Sequence, residues 1–282
     1  MHCLFLPPNM PAPALSPTLM PTIFISHGSP MFALEPGIAG AKLNALGVSL
    51  PRPKAIAVIS PHWMTRGAAV CTNLKPETIH DFGGFDPRLY LMQYPALSLM
   101  KYAQIAIDLI ASAGWNPVAT DRWGLDHGAW VPLRYLYPKA DVPVFQISLP
   151  VGLSEMQAFE YGQALRGLRE QGVLIVGSGS LTHNLGEFRG QPHDAPVQPY
   201  VRAFVDWVRE AVSAGDVASL QRTRELAPHA VRSHPTDEHY LPLLVAMGAA
   251  HGQAGRLVDG GVTHGILSMD SFVFGETAKE TP

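Results

Sequence analysis

Three short apolar runs, each followed by a turn of small residues, dominate the pattern of the chain. They occupy residues 22–26, 55–59 and 173–176, and their β-branched and aromatic residues predict buried strands. Each run leads into a histidine within a few residues: His27, His62 and His183. An apolar run, a turn of small residues and a histidine thus follow one another at three places in the chain.

Helical patterns alternate with apolar runs along the rest of the chain. Helices are predicted over residues 95–113, 131–137, 154–171 (with Ser154 as N-cap), 197–214 and 237–251 (with Thr236 as N-cap). Further strands are predicted over residues 68–72, 117–120, 143–149 and 265–274, the last one antiparallel. Residues 31–50 carry a looser helical pattern. This alternation predicts one α/β domain of three layers, with a mainly parallel or mixed sheet and helices on both faces.

No linker or internal repeat divides the chain. Residues 1–20 hold five prolines among apolar residues, a pattern that fits neither a signal peptide nor a transmembrane helix. We interpret them as a disordered leader, and Met20 stands directly before the first predicted strand. The domain is then expected over residues 21–275, with a frayed tail at 276–282.

The composition of the chain excludes several kinds of function. The chain has 282 residues, of which 47% are hydrophobic and 15% charged, as in a soluble globular protein with a large core. Its net charge of −3, without a cluster of Lys or Arg, argues against nucleic acid and acidic membranes as partners. Only two cysteines are present, so no disulfide framework is expected and the cytoplasm is the predicted location.

The strand-end histidines carry the main functional signal. In open α/β sheets ligands bind beyond the carboxyl ends of the strands, so these three side chains are expected to meet in one crevice. A single histidine after a strand is more often structural or solvated, but three equivalent positions favour a metal site. His239 is a fourth candidate, and Glu238 beside it is another ligand type. Successive side chains on a helix point about 100° apart, so one ion is expected to take only one of these two.

Several well-known motifs are missing from the sequence. It has no Walker A motif, no G-x-G-x-x-G after a strand and no cysteine pairs with zinc spacing. The stretch Gly-Ser-Gly-Ser at 177–180 lacks the glycine spacing of a G-x-S-x-G elbow, so we do not interpret it as a nucleophile turn.

Six longer motifs resemble one enzyme family. They are HGSP (27–30), PRPKAIAVISPHW (51–63), TIHDFGGF (78–85), WGLDHGAW (123–130), SGSLTHNL (178–185) and PTDEHYLPLL (235–244). In this order they resemble the 4,5-DOPA dioxygenase extradiol-like proteins, a branch of the class III extradiol ring-cleavage dioxygenases. The similarity runs from about residue 21 to residue 274.

The resemblance implies a mononuclear non-haem Fe(II) site that cleaves a DOPA-like catechol beside its two hydroxyls, with both atoms of O₂ inserted. It implies His27, His62 and His239 as metal ligands. It implies His183 as a catalytic acid/base that also approaches the metal, and His127 as a pocket histidine that touches substrate or oxygen. Many class III enzymes use a glutamate as third ligand, so Glu238 stays an alternative to His239. A monomer or small homo-oligomer is expected.

Other residues near these motifs have two interpretations each. Aromatic side chains are candidates for apolar walls around a flat ring, or for ordinary core packing: Trp63, Phe82, Phe85 and Trp123. Asp81 and Asp126 are candidates for orienting the ligand histidines, or for capping turns and helices.

Two other functions compete with the dioxygenase. A zinc hydrolase also uses three histidines and a bound water, and a non-catalytic metal-binding homologue would keep the same ligands. Zinc binds such ligands more tightly than Fe(II), so zinc in purified protein would not contradict the dioxygenase.

Overall fold

An eight-stranded mixed sheet forms the centre of the molecule. The computed structural model describes residues 19–275, so the predicted leader up to residue 18 and the tail at 276–282 lie outside the described residues. In chain order the strands of this sheet are β1 (Thr22–Ser26), β2 (Ala55–Thr65), β3 (Ala69–Cys71), β4 (Val118–Thr120), β5 (Val144–Pro150), β6 (Val173–Gly179), β7 (Gly255–Val258) and β10 (Ser271–Phe274). Two further strands, β8 (Val262–Thr263) and β9 (Leu267–Ser268), form a separate hairpin. Across the sheet they are ordered β4-β3-β5-β2-β6-β1-β10-β7.

The strands that lead to the histidines are direct neighbours. β6 pairs in parallel with β1 on one side and with β2 on the other, and β2 pairs in parallel with β5. Antiparallel pairs occur towards the edges, between β1 and β10, β10 and β7, and β3 and β5. The three carboxyl ends therefore share one edge of the sheet.

Helices cover both faces. They are α1 (Gly37–Ser49), α2 (Met100–Ser112), α3 (His127–Leu136), α4 (Glu155–Leu165), α5 (Gly167–Glu170), α6 (Pro199–Ala214), α7 (Val217–Leu220), α8 (Thr223–Leu226), α9 (Ala230–Ser233) and α10 (Leu241–Ala249). Ile23 packs with α1 and α3 on one face, and its neighbour Phe24 packs with α2, α4, α6 and α10 on the other. Alternate residues of a strand point to opposite faces, so both faces of the central strands are buried. The predicted three-layer α/β fold is confirmed.

Some predicted boundaries are wrong. The helix predicted over 237–251 begins only at Leu241, and Thr236 does not cap it, because its hydroxyl donates to the Glu238 carboxylate at 3.0 Å. The helix predicted over 131–137 begins at His127, because the Asp126 side chain accepts a hydrogen bond from the Ala129 amide at 3.1 Å.

Other boundaries differ less. The helix predicted over 154–171 has its Ser154 cap but is interrupted at Arg166, which separates α4 from α5. The strand predicted over 265–274 divides into β9 and β10, and β10 is antiparallel to β1 as predicted. Within residues 19–275 no helix is both long and apolar enough to cross a membrane.

Helices α4 and α10 cross at very short distance. A Cβ at Gly162 would lie 2.1 Å from the carbonyl oxygen of Val245, and a Cβ at Gly248 would lie 2.1 Å from that of Phe159. The two backbones can approach this closely only because both positions lack a side chain. The crossing fixes α10 against the sheet, directly after the turn that holds His239.

We expect Gly162→Ala to lower the free energy of unfolding by about 1–3 kcal/mol, because the added methyl forces the two helices apart. Alanine is the better helix former by about 1 kcal/mol, so helix propensity alone predicts a higher free energy of unfolding for this variant. Chemical denaturation measures the difference.

The matched control is Gly83→Ala, at a position where a Cβ would meet nothing within 4 Å. We expect its effect to stay within about 0.5 kcal/mol. A Gly162→Ala variant as stable as the parent would show that the crossing tolerates a wider separation.

Candidate active site

Five histidine rings converge at the edge of the sheet beyond β1, β2 and β6. The ring centroids of His62 and His127 are 3.9 Å apart, and those of His183 and His239 are stacked at 3.5 Å. His27 lies 5.1 Å from His62 and 5.4 Å from both His127 and His239. The structure thus brings together every histidine that the sequence analysis named.

An irregularity in β2 places His62. The strand continues to Thr65, so His62 lies inside it and not in a turn after it, as the sequence suggested. The register against β5 shifts between Ser60 and Met64, which leaves the intervening residues outside regular pairing. Irregular strand segments of this kind commonly redirect a side chain beside an active site.

Glycine in β6 places His239. A Cβ at Gly179 would lie 2.2 Å from the His239 carbonyl oxygen, and the Ser180 amide donates to that oxygen at 2.9 Å. The His183 amide donates in turn to the Ser233 carbonyl at 2.8 Å. Backbone contacts therefore hold the turn before α10 against the end of β6, and this stacks the two rings.

A serine determines the tautomer of His27. Its Nδ1 lies 3.0 Å from the Ser178 hydroxyl, which itself donates to the Gly128 carbonyl. The serine oxygen must then accept from the ring, which places the imidazole proton on Nδ1 and leaves a lone pair on Nε2.

Two carboxylates perform the same task for other rings. Asp81 accepts from the Nδ1 of His127 at 3.0 Å and from its backbone amide at 2.9 Å, and it lies 3.5 Å from the Nδ1 of His62. Glu238 accepts from the Nδ1 of His239 at 3.0 Å. The carboxylate of Asp126 instead caps α3 and accepts from Gln146 at 2.7 Å, and within residues 19–275 it has no hydrogen bond to these rings.

The Nε2 atoms form a set that fits a metal ion. Those of His27 and His62 are 3.2 Å apart, and the buried Nε2 of His239 has no hydrogen-bond partner among residues 19–275. With its proton on Nδ1, His27 offers an Nε2 lone pair beside the Nε2 of His62, an arrangement that can bind a cation. Two triads each bring their potential ligand atoms within 4.8 Å of one another: His27, His62 and His127, and His183, Glu238 and His239.

Burial keeps the imidazoles of four residues neutral: His27, His62, His183 and His239. Loss of hydration lowers the pKa of His62 to about 2 and that of His183 to about 3, and repulsion between neighbouring rings adds to this. Loss of hydration is also the main cause that lowers the pKa of His27 and the pKa of His239. Neutral imidazole is the form that binds metals, so the rings are ready as ligands.

The carboxylates behind the rings stay charged. The hydrogen bond from His239 lowers the pKa of Glu238 to about 2. Burial opposes ionisation of Asp81, but hydrogen bonds from His127 still bring its pKa below the usual range. Two anions next to neutral rings favour a divalent cation at this position.

A cavity of about 440 Å³ opens in front of the histidines. Apolar side chains wall it: Pro30, Met31, Phe82, Phe85, Leu185, Phe188 and Leu267. This size and lining suit a small aromatic ligand. Of the four predicted wall residues, Phe82 and Phe85 contribute.

The other two predicted wall residues do not line this cavity. Trp63 and Trp123 stack on each other at 5.4 Å over the buried Cys71, so core packing is their role. Sequence reasoning missed several lining residues from three separate segments: Glu35, Leu185, Phe188, His264 and Leu267. No sequence pattern marks these positions, because turns far apart in the chain bring them together.

The chain matches a known protein family over most of its length. A family model described as "Catalytic LigB subunit of aromatic ring-opening dioxygenase" matches residues 21–275. The "4,5-DOPA dioxygenase extradiol" of Escherichia coli strain K12 is 38% identical over 266 residues, which cover 93% of this chain and 97% of that protein. The protein of the same name from Beta vulgaris is 40% identical over 262 residues, covering 91% of this chain and 97% of the relative.

A solved structure supports the same relationship. The crystal structure of the uncharacterized protein JW3007 from Escherichia coli K12 superimposes with a TM-score of 0.74 at 32% sequence identity. The match covers 90% of this chain and 99% of the other.

Variants of two adjacent residues separate the candidate ligands. We expect His239→Ala to remove measurable Zn²⁺ binding, because it deletes a nitrogen that faces the other rings. Glu238→Gln should weaken binding by about 10–100-fold, the usual effect of losing a group that only orients a ligand. Competition with a chromophoric chelator measures both dissociation constants.

His251→Ala, at an exposed histidine outside the cavity, is the control and should bind Zn²⁺ like the parent. Binding that survives His239→Ala and is abolished by Glu238→Gln would assign the carboxylate as the ligand.

Proposed function

The chain belongs to the LigB family of aromatic ring-opening dioxygenases and is an extradiol ring-cleavage enzyme, and we propose that it uses Fe(II) to open a DOPA-like catechol. One observation carries the proposal. Five imidazoles, three of them buried and two half-buried, face a cavity of about 440 Å³ with aromatic walls, and in His27, His127 and His239 a neighbouring side chain accepts from Nδ1. A catechol ring placed there would present both hydroxyls to the histidines.

We assign His27, His62 and His239 as the metal ligands. The contacts of Ser178 with His27 and of Glu238 with His239 support this assignment, since they leave both Nε2 atoms free. Glu238 is the weaker candidate, because the oxygen that accepts from His239 also accepts from Thr236, and it does not line the cavity. His183 stacks on His239, near enough to approach the metal as well.

When bound, Fe(II) supplies Lewis acidity towards the catechol oxygens and the redox chemistry for O₂. Three protein ligands on one side leave coordination positions for both reactants. The aromatic walls hold the flat ring and exclude water from the reacting atoms.

His183 is the proposed acid/base. Burial lowers its pKa to about 3, well under the ordinary value of about 6.5, so it meets the substrate as a neutral acceptor. A negatively charged catecholate beside it would raise that pKa and stabilise the protonated ring. His183 can then take a proton from a catechol hydroxyl and return it later in the cycle. His127, oriented by Asp81, faces the same space and is the proposed contact for substrate or oxygen.

The substrates, the cellular location and the oligomeric state are proposed as well. The substrates are a small catechol and O₂, and the low cysteine content supports a cytoplasmic location. We propose a monomer or small homo-oligomer, since each chain carries all five histidines.

Oxygen consumption tests the function directly. The protein is loaded with Fe(II) without air, mixed with L-DOPA or a small set of catechols, and monitored for O₂ uptake and a yellow ring-opened product. Uptake coupled to product formation is the expected result. If no catechol gives uptake while the zinc form hydrolyses an ester or amide, the protein is a hydrolase.

Two classes of histidine variant should differ in metal content. His183→Ala is expected to keep most of its iron and to lose activity by about 10²–10⁴-fold, as for a missing general acid/base. His27→Ala or His62→Ala should lose the iron itself. Elemental analysis with O₂ uptake separates the two cases, and complete loss of iron in His183→Ala would make His183 primarily a ligand.

A further inference from the structure

Glu35 is the only carboxylate that lines the cavity in the described part of the chain, and no Lys or Arg lines it. The residue comes just after the 3-10 turn Pro30–Ala33, which follows the His27 turn. Glu35 is exposed and forms no ion pair with any residue between 19 and 275. A negative group without an ion-pair partner among the described residues therefore lines the space in front of the histidines.

His264 stands near Glu35 in the cavity wall. Both also line a small adjoining pocket of about 20 Å³, in which none of the five clustered histidines takes part. The two residues therefore lie at an end of the cavity away from the histidine cluster. The adjoining pocket has room for about one water-sized group.

A hydrogen bond determines the neutral tautomer of His264. Its Nδ1 lies 2.9 Å from the Gln191 carbonyl, to which it must donate, so Nε2 of the neutral ring carries a lone pair. Phe188 packs against the ring edge-to-face at 5.3 Å and fixes its plane. Glu35 and His264 thus offer acceptors at the same end of the cavity.

The guanidinium of Arg88, which interacts electrostatically with Glu35, is engaged elsewhere. Arg88 lies within electrostatic range of Glu35 but donates to the Asp86 carboxylate at 3.0 and 2.8 Å. Arg88 does not line the cavity. A carboxylate on a ligand would meet no Lys or Arg in the cavity wall and would be repelled by Glu35.

We propose that Glu35 and His264 bind the ammonium group of a substrate side chain, so that the enzyme prefers catechols that carry an amine. This inference rests on the proposed function, because the catechol hydroxyls must occupy the histidine end. An ammonium group has three donors and no acceptor, which matches a carboxylate and an imidazole lone pair. A catechol whose side chain ends only in a carboxylate is disfavoured.

Pairs of substrates that differ only in the amine test the proposal. They are 2-(3,4-dihydroxyphenyl)ethylamine against 4-ethylcatechol, and L-DOPA against 3-(3,4-dihydroxyphenyl)propionate. We expect kcat/KM of the iron-loaded enzyme to be about tenfold higher for the amine of each pair, the effect of one hydrogen bond to a charged group. Equal values within each pair would overturn the proposal.

Variants of Glu35 should change this ratio. Glu35→Gln is expected to reduce the preference for the amine about tenfold. Glu35→Lys should reverse the preference in favour of the propionate. Glu160→Gln, at an exposed glutamate of α4 outside the cavity, is the matched control and should keep the parent ratio. A ratio that is the same in all three variants would also refute the ammonium subsite.

Binding to the metal-free protein separates this inference from the proposed function. By calorimetry, 2-phenylethylamine should bind more tightly than 3-phenylpropionate, and Glu35→Gln should remove the difference. Neither compound is a catechol, so its ring is not opened and the result does not depend on turnover. If no catechol is cleaved but the amine still binds better, the proposed function fails and the ammonium subsite stands. If catechols are cleaved without regard to charge and neither compound binds better, only the subsite fails.

Discussion

Parallel pairing of β6 with both β1 and β2 is the constraint on which the site depends. The pairing aligns Ser26 with Gly179 and Ile59 with Gly177, so pairing with β6 stops at nearly the same level on both sides, although β2 itself continues to Thr65. One strand moved by two residues would shift its histidine by about 6–7 Å, farther than the separation of the rings. The hydrophobic residues that alternate between the two faces fix this register, because a slip by one residue would reverse every side chain. The positions of the clustered histidines therefore depend on the core as much as on their own contacts.

Burial of several imidazoles in one place is unfavourable unless something accepts their protons. Three side chains outside the cluster accept hydrogen bonds from the Nδ1 atoms of His27, His127 and His239. They are Ser178, Asp81 and Glu238. The Nε2 lone pairs of His27 and His239 then remain available, and the His239 Nε2 has no hydrogen-bond partner among the described residues. A divalent cation bound there would satisfy these lone pairs. This accounts for a polar centre at the end of an otherwise apolar sheet.

The sequence was sufficient for the sheet and for the general position of the site. The carboxyl ends of parallel strands lie at one edge of a sheet, and this rule located His27, His62 and His183. It failed for Trp63, which the register shift in β2 places over Cys71 instead of the cavity. Nor did it locate the true start of α10, since the close approach of the turn to Gly179 is a tertiary contact without a local signal. Periodicity reports burial, but it does not report which of several pockets a buried ring will face.

The two ends of the cavity have different structural origins, and this separates chemistry from selectivity. The sheet edge and the first turn of α3 hold the histidines through buried backbone contacts, so their geometry is rigid. Glu35 follows an exposed turn, and His264 lies in the connection between β8 and β9 with a φ of 55°. Residues in such connections can change with little effect on the core. A chain with this fold can therefore change the substituent that it accepts on the ring while it keeps the centre that opens the ring. Substrate choice is then encoded in segments that the strand pattern does not reveal.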